Sequence, residues 1–515
     1  MNIQVNPSNH KELMIDFKNR DEMDVVDIYM KPKTRSHKFQ KVKGNWNGQV
    51  SFLRNYRFVP IQFFHILYKL CKENRFEYDF KDVKESTTIK VDLEKLKSIY
   101  ERAILGDEDL IYDKDQFETI YVFLKNRYNR QNISTSYGKT LVLFVVSVYL
   151  SSVNNENVLI VVPKPSLSQQ MYSDFMSFSK HVIESKKIFS LVSSGNSNME
   201  DHEDYKIIIA NFLIIANKEK ENFERFNALM FDEVHRATSK SYKRINVMCK
   251  NVTSTRGITG TMHHDFSAET YTMILNSGFS SKTVKKRELI DSGRASDGKI
   301  IVKYINSLNE HDAYTLHKYM LDEEEHIKHL DLERKLIRAS YPRLKWVVSD
   351  IISEYKKRGN TVVFFKDVMH GYGKKIHELL SEQRDISVFY IDQHVKESIR
   401  QTMYEHIRNN HNCILVVSHD IASTGISINT LRCGYLAEPI KSKITTGQIL
   451  GRFMRLSDGK DMFYMIDIVD SIQSSVRKKP NYYEKWYTYN RKDVYHADKF
   501  QIEEQRININ HKSLF

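Results

Sequence analysis

Short runs of β-branched and other apolar residues alternate with helix-length spacers along most of this 515-residue chain, in two separate series. Such alternation is typical of βαβ units, in which helices join parallel strands and cover the faces of the sheet. We therefore predict an α/β fold with two similar lobes. The runs lie at residues 158–162, 207–209 and 228–231 in the first series, and at 300–302, 361–365, 414–417 and 463–466 in the second.

The segment before the first series has a different character. It combines a basic stretch at residues 31–43 with short alternating runs around 50–52 and 56–58. The dipeptide Asn47-Gly48 favours a hairpin turn, and the periodic apolar residues after Pro60 favour an amphipathic helix. We expect a small α+β N-terminal domain at 1–95, a first lobe at 96–295, a second lobe at 296–475 and a C-terminal helical extension at 476–515.

Composition narrows the class of protein. A net charge of +13 favours a polyanionic partner, although some soluble proteins are simply basic. The four cysteines are scattered and form no CxxC pair, so the sequence predicts neither a structural zinc nor a disulfide scaffold. The longest uncharged apolar run, residues 141–153, is too short to span a bilayer, and the N-terminus lacks the apolar core of a signal peptide. We expect a cytoplasmic protein that does not act at a membrane. The mixed-charge run at 322–338 is interpreted as a solvated helix face.

One segment has the composition of a phosphate-binding loop. In such loops backbone N–H groups hold the phosphates, a lysine reaches the β and γ oxygens, and the next hydroxyl binds Mg²⁺. Gly138, Lys139 and Thr140 suit these roles, although Ile133 stands where the first glycine is usual, and an ordinary helix start is the alternative. Gln116 lies 23 residues before Lys139 and is placed to read an adenine edge if the chain returns there; otherwise it is a surface residue.

Two adjacent carboxylates follow an apolar run that ends at Phe231. At the end of a buried strand, Asp232 is suited to position Mg²⁺ and Glu233 to accept a proton from an attacking water. Adjacent acids on an exposed helix end are the alternative. Further on, Thr259-Gly260-Thr261 forms either a plain turn or a hydroxyl bridge between the nucleotide site and the DNA-side lobe.

Arg452 and Arg455 are three residues apart, so on a helix they share one face. Either they pair with carboxylates as structural residues, or they stabilise charge on a transferred phosphoryl group. Arginines in the second role contribute roughly 10³–10⁵ in rate.

These motifs, in this order, resemble the superfamily 2 helicases, and most closely the UvsW family of bacteriophage DNA helicases. The resemblance covers nearly the whole chain and implies two tandem RecA-like parallel-sheet lobes, ATP and Mg²⁺ as cofactors, and ATP hydrolysis driven by DNA. It also implies action on branched or forked DNA, as in fork regression, Holliday-junction migration and strand annealing during phage recombination and repair.

The resemblance assigns roles residue by residue. Nucleotide binding falls to Gln116, Ser134, Thr135, Ser136, Tyr137, Gly138, Lys139 and Thr140, with Thr140 and Asp232 on the metal and Lys139, Asp232, Glu233, Gln448, Arg452 and Arg455 in catalysis. Nucleic-acid contacts fall to Pro163, Lys164, Lys366, Thr424 and Gly425, and in the N-terminal domain to Lys41, Lys43 and Trp46, where a merely solubilising basic strand is the alternative.

Several positions depart from the family pattern. Tyr137 stands where a small residue is usual, so its ring must point away from the nucleotide. Asp115 replaces an aromatic residue before Gln116, Asn211 replaces a threonine that commonly contacts the DNA backbone, and Ser427 replaces an aspartate.

Two other functions remain open at this point. One is an RNA-remodelling helicase of the same fold, and the other is an ATP-gated nucleic-acid-binding protein with little unwinding. Expected partners are DNA and, besides it, single-stranded-DNA-binding or recombination proteins. We expect a monomer, although the sequence does not fix the oligomeric state.

Overall fold

The chain is seen here in a computed structural model. The structure describes residues 1–34, 48–107, 110–134, 137–182, 188–193, 195–260, 267–319, 326–366, 368–421, 431–457, 460, 462–472 and 481–511. The described chain divides into two compact units, Met1–Val284 and Lys285–Phe515. The first unit thus ends eleven residues before the boundary that we expected at 295/296.

A small mixed sheet opens the first unit. Its strand order is β3-β2-β1-β4, with β1 and β2 forming an antiparallel hairpin and β4 running parallel to β1. The strands are β1 (Asn2–Asn6), β2 (Asn9–Asp16), β3 (Phe58–Pro60) and β4 (Asp79–Lys81). The helices of this domain are α1 (Arg20–Tyr29), α2 (Phe64–Glu73) and α3 (Val83–Thr87), and a 3₁₀ turn at Ile61–Phe63 leads into α2.

The expected hairpin around Asn47-Gly48 is wrong in its strands. Residues 50–52 form no strand: Val50 and Phe52 donate to the carbonyls of Pro32 and Met30, but Pro32 has no N–H with which to return a ladder bond. Asn47 itself lies outside the described residues. The amphipathic helix expected after Pro60 is confirmed as α2, which buries Leu67, Leu70 and Cys71.

The first lobe is a seven-stranded sheet in which every pair is parallel, in the order β11-β5-β10-β9-β6-β8-β7. Its strands are β5 (Tyr128–Ile133), β6 (Val158–Val162), β7 (Phe189–Val192), β8 (Ile207–Asn211), β9 (Ala228–Asp232), β10 (Ser254–Thr259) and β11 (Phe279–Val284). The helices are α4 (Leu93–Leu105), α5 (Lys114–Lys125), α6 (Lys139–Ser152), α7 (Pro165–Phe178), α8 (Phe212–Ile215), α9 (Lys240–Met248) and α10 (Ala268–Ser277).

The apolar composition of α6 explains its place in this lobe. Every residue from Leu141 to Ser151 is buried, so the helix is covered on all sides. The central strands β6, β8 and β9 are likewise buried along their whole length, as expected for a parallel sheet covered on both faces.

The N-terminal domain shares its hydrophobic core with the first lobe. Tyr128, Tyr271 and Ile274 of the lobe pack in the same cluster as Phe52 and Phe63 of the domain. The rings of Phe52 and Tyr271 lie 5.5 Å apart between centroids. The N-terminal domain is therefore an integral part of the first unit and not a separate module.

The second unit contains another seven-stranded parallel sheet, in the order β14-β15-β13-β16-β17-β12-β18. Its strands are β12 (Asp297–Ile305), β13 (Thr361–Phe365), β14 (Ser387–Ile391), β15 (Cys413–Ser418), β16 (Cys433–Leu436), β17 (Met462–Asp470) and β18 (Gln501–Ile507). Its helices are α11 (Lys286–Asp291), α12 (Glu310–Tyr319), α13 (His326–Ala339), α14 (Tyr341–Arg358), α15 (Tyr372–Ser381), α16 (Glu397–Asn409), α17 (Lys443–Phe453), α18 (Tyr482–Trp486) and α19 (Lys492–Ala497). The two sheets confirm the prediction of tandem parallel-sheet lobes.

The C-terminal segment differs from the helical extension that we expected at residues 476–515. It contains α18, a π-helical turn at Tyr487–Arg491 and α19, but it then continues into β18. This strand pairs in parallel with β12 and forms one edge of the second sheet. The segment is thus built into the lobe.

The interpretation of residues 322–338 as a solvated face is wrong for two residues of α13. Glu333 is fully buried and accepts hydrogen bonds from Asn481 Nδ2 at 2.8 Å and from the N–H groups of Tyr482 and Tyr483 at 3.1 and 3.0 Å. Arg338 Nε donates to Glu438 Oε1 at 2.8 Å. The charge pattern was typical of a solvated face, but it does not reveal which charges have partners distant in sequence.

Among the residues that the structure describes, no helix is both long and apolar enough to cross a membrane.

Candidate nucleotide site and nucleic-acid surface

Three neighbouring strands of the first sheet end where the predicted nucleotide residues begin. β5, β10 and β9 lie side by side, and all three run parallel. Their carboxyl ends therefore meet at one edge of the sheet, which is where ligands bind in open α/β sheets. The phosphate loop follows β5, Asp232 ends β9 and Thr259 ends β10.

The loop turns into α6 at Gly138, whose φ of +82° lies in the left-handed region that favours glycine. A Cβ at this position would lie 2.6 Å from Gln116 Nε2, so a side chain here would displace the amide that holds the loop. Lys139 and Thr140 begin the helix directly after the turn. Ser134 is buried, whereas Thr135 and Ser136 lie outside the described residues.

Gln116 anchors the loop to α5. Its Nε2 donates to the carbonyl of Tyr137 at 2.6 Å, and its Oε1 accepts from the hydroxyl of Tyr100 at 2.7 Å. The side chain is buried, so the surface interpretation of Gln116 is wrong, while the chain does return to the phosphate loop as the adenine hypothesis requires. Adenine reading by Gln116 stays a prediction.

The ring of Tyr137 is buried beside α5, with its hydroxyl 2.8 Å from Thr119 Oγ1. This explains how a large residue fits into the loop. The α5 helix thus holds the loop at two points, through the carbonyl and through the hydroxyl of the same residue.

Lys139 and Glu233 form an ion pair across the site, and each side chain is only 10–12% exposed. The second carboxylate oxygen of Glu233 accepts a hydrogen bond from Thr259 Oγ1 at 3.1 Å and lies 3.2 Å from His235 Nδ1. His235 Nδ1 is in turn 2.8 Å from Thr259 Oγ1. The Thr259 hydroxyl therefore lies in the nucleotide site with Glu233 as a partner, whereas a bridge from this site to the DNA-side lobe stays a prediction.

Glu233 itself has a left-handed backbone, with φ of +48°. For a residue with a Cβ this conformation costs roughly 1–2 kcal/mol. Strain of this kind tends to occur where a functional side chain must be aimed.

The two adjacent carboxyl groups differ in proton affinity. Burial raises the pKa of Asp232 to about 6, with Lys139 opposing the shift and Glu233 adding to it. Burial acts in the same direction on Glu233, but the charge of Lys139 and the hydrogen bond and charge of His235 outweigh it, so the pKa of Glu233 is far below its ordinary value. Neighbouring acids whose pKa values are pushed apart are typical of sites with divided roles.

The donor set fits Mg²⁺ bound together with a nucleotide. Asp232 is a buried carboxylate at the strand end, and Thr140 presents a hydroxyl in the first turn of α6. In the described part of the chain no group of three or more histidine, cysteine or acidic residues is arranged to hold a metal ion by itself. Mg²⁺ is typically held by one or two carboxylates plus phosphates, which matches this sparse set.

The predicted nucleic-acid residues of the first lobe lie at strand ends. Pro163 and Lys164 follow β6, and Lys164 precedes α7 as its N-terminal cap residue. Asn211 caps α8 by accepting from the N–H of Leu213 at 3.0 Å, and its amide donates to the carbonyl of Val162 at 3.2 Å. Asn211 thus caps a helix and bonds to β6, at the position where the family pattern has a threonine that contacts the DNA backbone.

In the second unit Lys366 follows β13, and its backbone N–H donates to Glu438 Oε2 at 2.8 Å. Since Glu438 also accepts from Arg338, it links α13 to the start of the loop after β13. Sequence analysis missed Glu438, although an acid directly after the apolar run that became β16 was a usable signal. No local signal pointed to Tyr100 or Thr119.

Gln448 and Arg452 lie on α17, where Gln448 is buried. The helix ends at Phe453 with Met454 as its cap, so Arg455 lies beyond it. The expectation that the two arginines share one helix face is therefore wrong. Their catalytic roles stay predictions, as does the role of Lys366; Thr424, Gly425, Lys41, Lys43 and Trp46 lie outside the described residues.

Comparison with known proteins agrees with this geometry. Residues 112–264 match the family model described as type III restriction enzyme, res subunit, and residues 344–457 match the helicase conserved C-terminal domain. The chain is 27% identical over 433 residues to the ATP-dependent DNA helicase uvsW of Enterobacteria phage T4, covering 83% of this chain and 82% of the relative.

Two solved structures share the fold. The ATP-dependent type ISP restriction-modification enzyme LlaBIII bound to DNA aligns with 82% of this chain and 32% of that chain, at a TM-score of 0.55 and 14% identity. Dbp5 of S. cerevisiae bound to RNA and ADP BeF3 aligns with 81% of this chain and 96% of that chain, at a TM-score of 0.53 and 12% identity.

Proposed function

Since the chain is an ATP-dependent helicase of superfamily 2, we propose that it moves on DNA and acts on branched or forked DNA in recombination and repair. The observation that carries the proposal is the joint placement of Lys139, Glu233 and Thr259 at the carboxyl ends of adjacent strands, in a chain similar to a DNA helicase.

The nucleotide step follows from the ion pair between Lys139 and Glu233. When ATP binds in the loop, its phosphates compete for the Lys139 ammonium group. Glu233 then loses the cation that lowers its pKa most, and its carboxylate becomes a better proton acceptor for the attacking water. The site thus gains basicity when the nucleotide is in place.

The hydrogen bonds of Thr259 and His235 keep the Glu233 carboxylate oriented after Lys139 leaves it. Asp232 and Thr140 would hold the Mg²⁺, which would neutralise charge on the phosphates. Arg452 and Arg455 stabilise the charge of the transferred phosphoryl group. Gln448 is the third catalytic residue that we assign to the second unit.

For the nucleic acid, we assign contacts to Pro163 and Lys164 in the first lobe and to Lys366, Thr424 and Gly425 in the second. The basic residues Lys41 and Lys43, with Trp46, add contacts from the N-terminal domain. A single-stranded-DNA-binding or recombination protein is the expected further partner.

The test is steady-state ATP hydrolysis by the full chain with a four-way junction, a fork, a linear duplex and a structured RNA, at matched nucleotide concentration. We expect the two branched DNAs to stimulate hydrolysis most. Equal stimulation by linear and branched DNA contradicts the branched-DNA proposal, and stronger stimulation by RNA favours an RNA-remodelling helicase. Binding without any stimulation favours an ATP-gated binding protein.

A further inference from the structure

The C-terminal segment of the second unit is held firmly against its sheet by buried polar contacts. Arg491, fully buried, donates to Asp467 Oδ2 on β17 at 2.8 Å and to the carbonyl of Ile440 at 3.1 Å. Tyr495 donates to the same carboxylate at 2.8 Å. At the other end of the segment, Glu333 binds residues 481–483. The position of α18 and of the π-helical turn is therefore fixed on this side.

The opposite side of this helical stretch presents a cation and an aromatic ring. Lys485 and Tyr489 are four residues apart, which places them as neighbours on a helix surface. Tyr489 is 67% exposed, although tyrosine normally buries much of its ring. Asn490, next to it, donates to the carbonyl of Lys441 at 2.8 Å and thereby brings the exposed residue Lys441 to the same surface.

Cations from three elements converge here. Arg334 of α13 and Lys441 each lie 5.6 Å from the ring centroid of Trp486, and the Lys485 ammonium lies 5.6 Å from the ring of Tyr482. We call Arg334, Lys441, Lys485 and Tyr489 the C-terminal basic face.

The face keeps an excess of positive charge. Arg334 pairs with Asp331 at 3.2 Å, but neither Lys441 nor Lys485 has a carboxylate within ion-pair distance in the described part of the chain. Other lysines nearby are neutralised, since Lys443 pairs with Asp493 and Lys492 with Glu504. Like charges gathered without counter-ions favour a polyanion.

The face is continuous with the loop after β13. Glu438 accepts hydrogen bonds from the backbone N–H of Lys366 and from Arg338 of α13, both at 2.8 Å. Arg334 lies one helical turn before Arg338 on α13, so the loop and the face adjoin. Lys366 is a predicted nucleic-acid residue, and the C-terminal basic face extends from it across α13 to the C-terminal segment.

We propose that the C-terminal basic face binds a single strand of DNA, with Lys441 and Lys485 on successive phosphates and Tyr489 stacked on an unpaired base. Grooves that bind single strands combine such cations with exposed aromatic rings. The proposal rests on the proposed function, because it names a second contact for the same DNA.

The test is fluorescence anisotropy of labelled oligothymidine and of a blunt duplex with the full chain, over a series of salt concentrations. Lys441→Ala and Lys485→Ala should each flatten the log–log salt dependence on the single strand by about 0.7. Tyr489→Ala should weaken single-strand binding roughly five- to a hundredfold, while Tyr489→Phe should bind like the wild type, since it keeps the ring.

Lys492→Ala is the matched control. It removes a lysine from the same helical stretch whose charge is already paired with Glu504, so its binding should equal that of the wild type. ATP hydrolysis without DNA should be unchanged in every variant, which checks that each one is folded.

Single-strand binding at the wild-type level in Lys441→Ala, Lys485→Ala and Tyr489→Ala overturns the proposal. An equal loss on the blunt duplex for Tyr489→Ala overturns the stacking contact. These results leave the proposed function standing if wild-type hydrolysis is stimulated by DNA. A wild-type chain that neither binds DNA nor responds to it overturns both.

Discussion

Lys139 is paired with Glu233 in this structure, so its substitution removes two things at once: the cation for the phosphates and the partner that keeps the pKa of Glu233 low. We expect Lys139→Ala to abolish ATP hydrolysis, because the phosphates lose the cation at the start of α6. DNA binding should stay near the wild-type level, since the predicted nucleic-acid residues lie elsewhere.

The measurement is phosphate release alongside DNA anisotropy. Lys125→Ala, at the C-terminal end of α5, is the control and should retain activity. Normal hydrolysis by Lys139→Ala would remove the motor interpretation.

Glu333 makes the free energy of unfolding depend on pH. Burial raises its pKa from 4.5 to about 7, even though three N–H donors oppose the shift. Because the folded pKa is raised, the stabilisation is fully present below about 4.5 and is lost as the pH rises through about 7. A shift of this size corresponds to roughly 3 kcal/mol.

We expect Glu333→Gln, which keeps the size of the side chain and an acceptor oxygen, to remove this dependence. The free energy of unfolding of the wild type, relative to that of the variant, should fall by roughly 3 kcal/mol between pH 5 and pH 8. The measurement is denaturant unfolding at several pH values, with Glu378→Gln on the exposed side of α15 as control. Parallel pH profiles for wild type and Glu333→Gln would contradict a raised pKa.

At the scale of elements, the strands buried at the centre of each sheet were predictable. Residues 158–162 and 361–365 are the strands β6 and β13 to the residue, because a strand covered on both faces is a continuous apolar run. The strand β18 was missed since it lies at a sheet edge and is mostly polar, with only Ile502 and Ile507 apolar. An edge strand of this kind has no local signal that distinguishes it from an exposed helix.

The candidate site was likewise predictable only in part. Local composition predicted the residues that nucleotide chemistry requires, namely Lys139, Asp232 and Glu233. The supports of the site were not, because Tyr100 and Thr119 act through hydrogen bonds that only the folded chain creates. Arg455 was misplaced by the assumption that α17 continues past Phe453.

Arg452 lies on α17 and Arg455 lies beyond its end, yet both are expected to act on the transferred phosphoryl group. We expect Arg452→Ala and Arg455→Ala each to retain ATP binding and to lose hydrolysis by roughly 10³-fold or more, because such arginines stabilise the transition state more than the ground state. The measurement pairs single-turnover hydrolysis with equilibrium nucleotide binding.

Arg384→Ala provides the control, since this arginine is exposed in the loop before β14. Full hydrolysis in both arginine variants would make them structural residues only.

At the scale of the whole molecule, the N-terminal domain cannot be removed as an independent module. Deletion of residues 1–95 uncovers Tyr128, Tyr271 and Ile274, which are buried against the domain. It also removes Lys11, whose ammonium donates to the carbonyl of Cys249 at 2.6 Å. We expect the truncated chain to have a lowered unfolding midpoint and faster proteolysis of the first unit. A truncated chain as stable as the full one would show that the shared core contributes little.

The contribution of this domain to DNA binding is therefore better tested by point substitutions that leave the shared core intact. Lys41→Ala and Lys43→Ala should each flatten the log–log salt dependence of duplex binding by about 0.9 if the lysine neutralises one phosphate. Lys81→Ala, on the exposed β4, is the control and should leave the slope unchanged. Both lysine variants should keep the wild-type unfolding midpoint, so a loss of affinity would report a lost contact rather than a lost fold. Slopes identical to the wild type in both would assign the basic stretch to solubility.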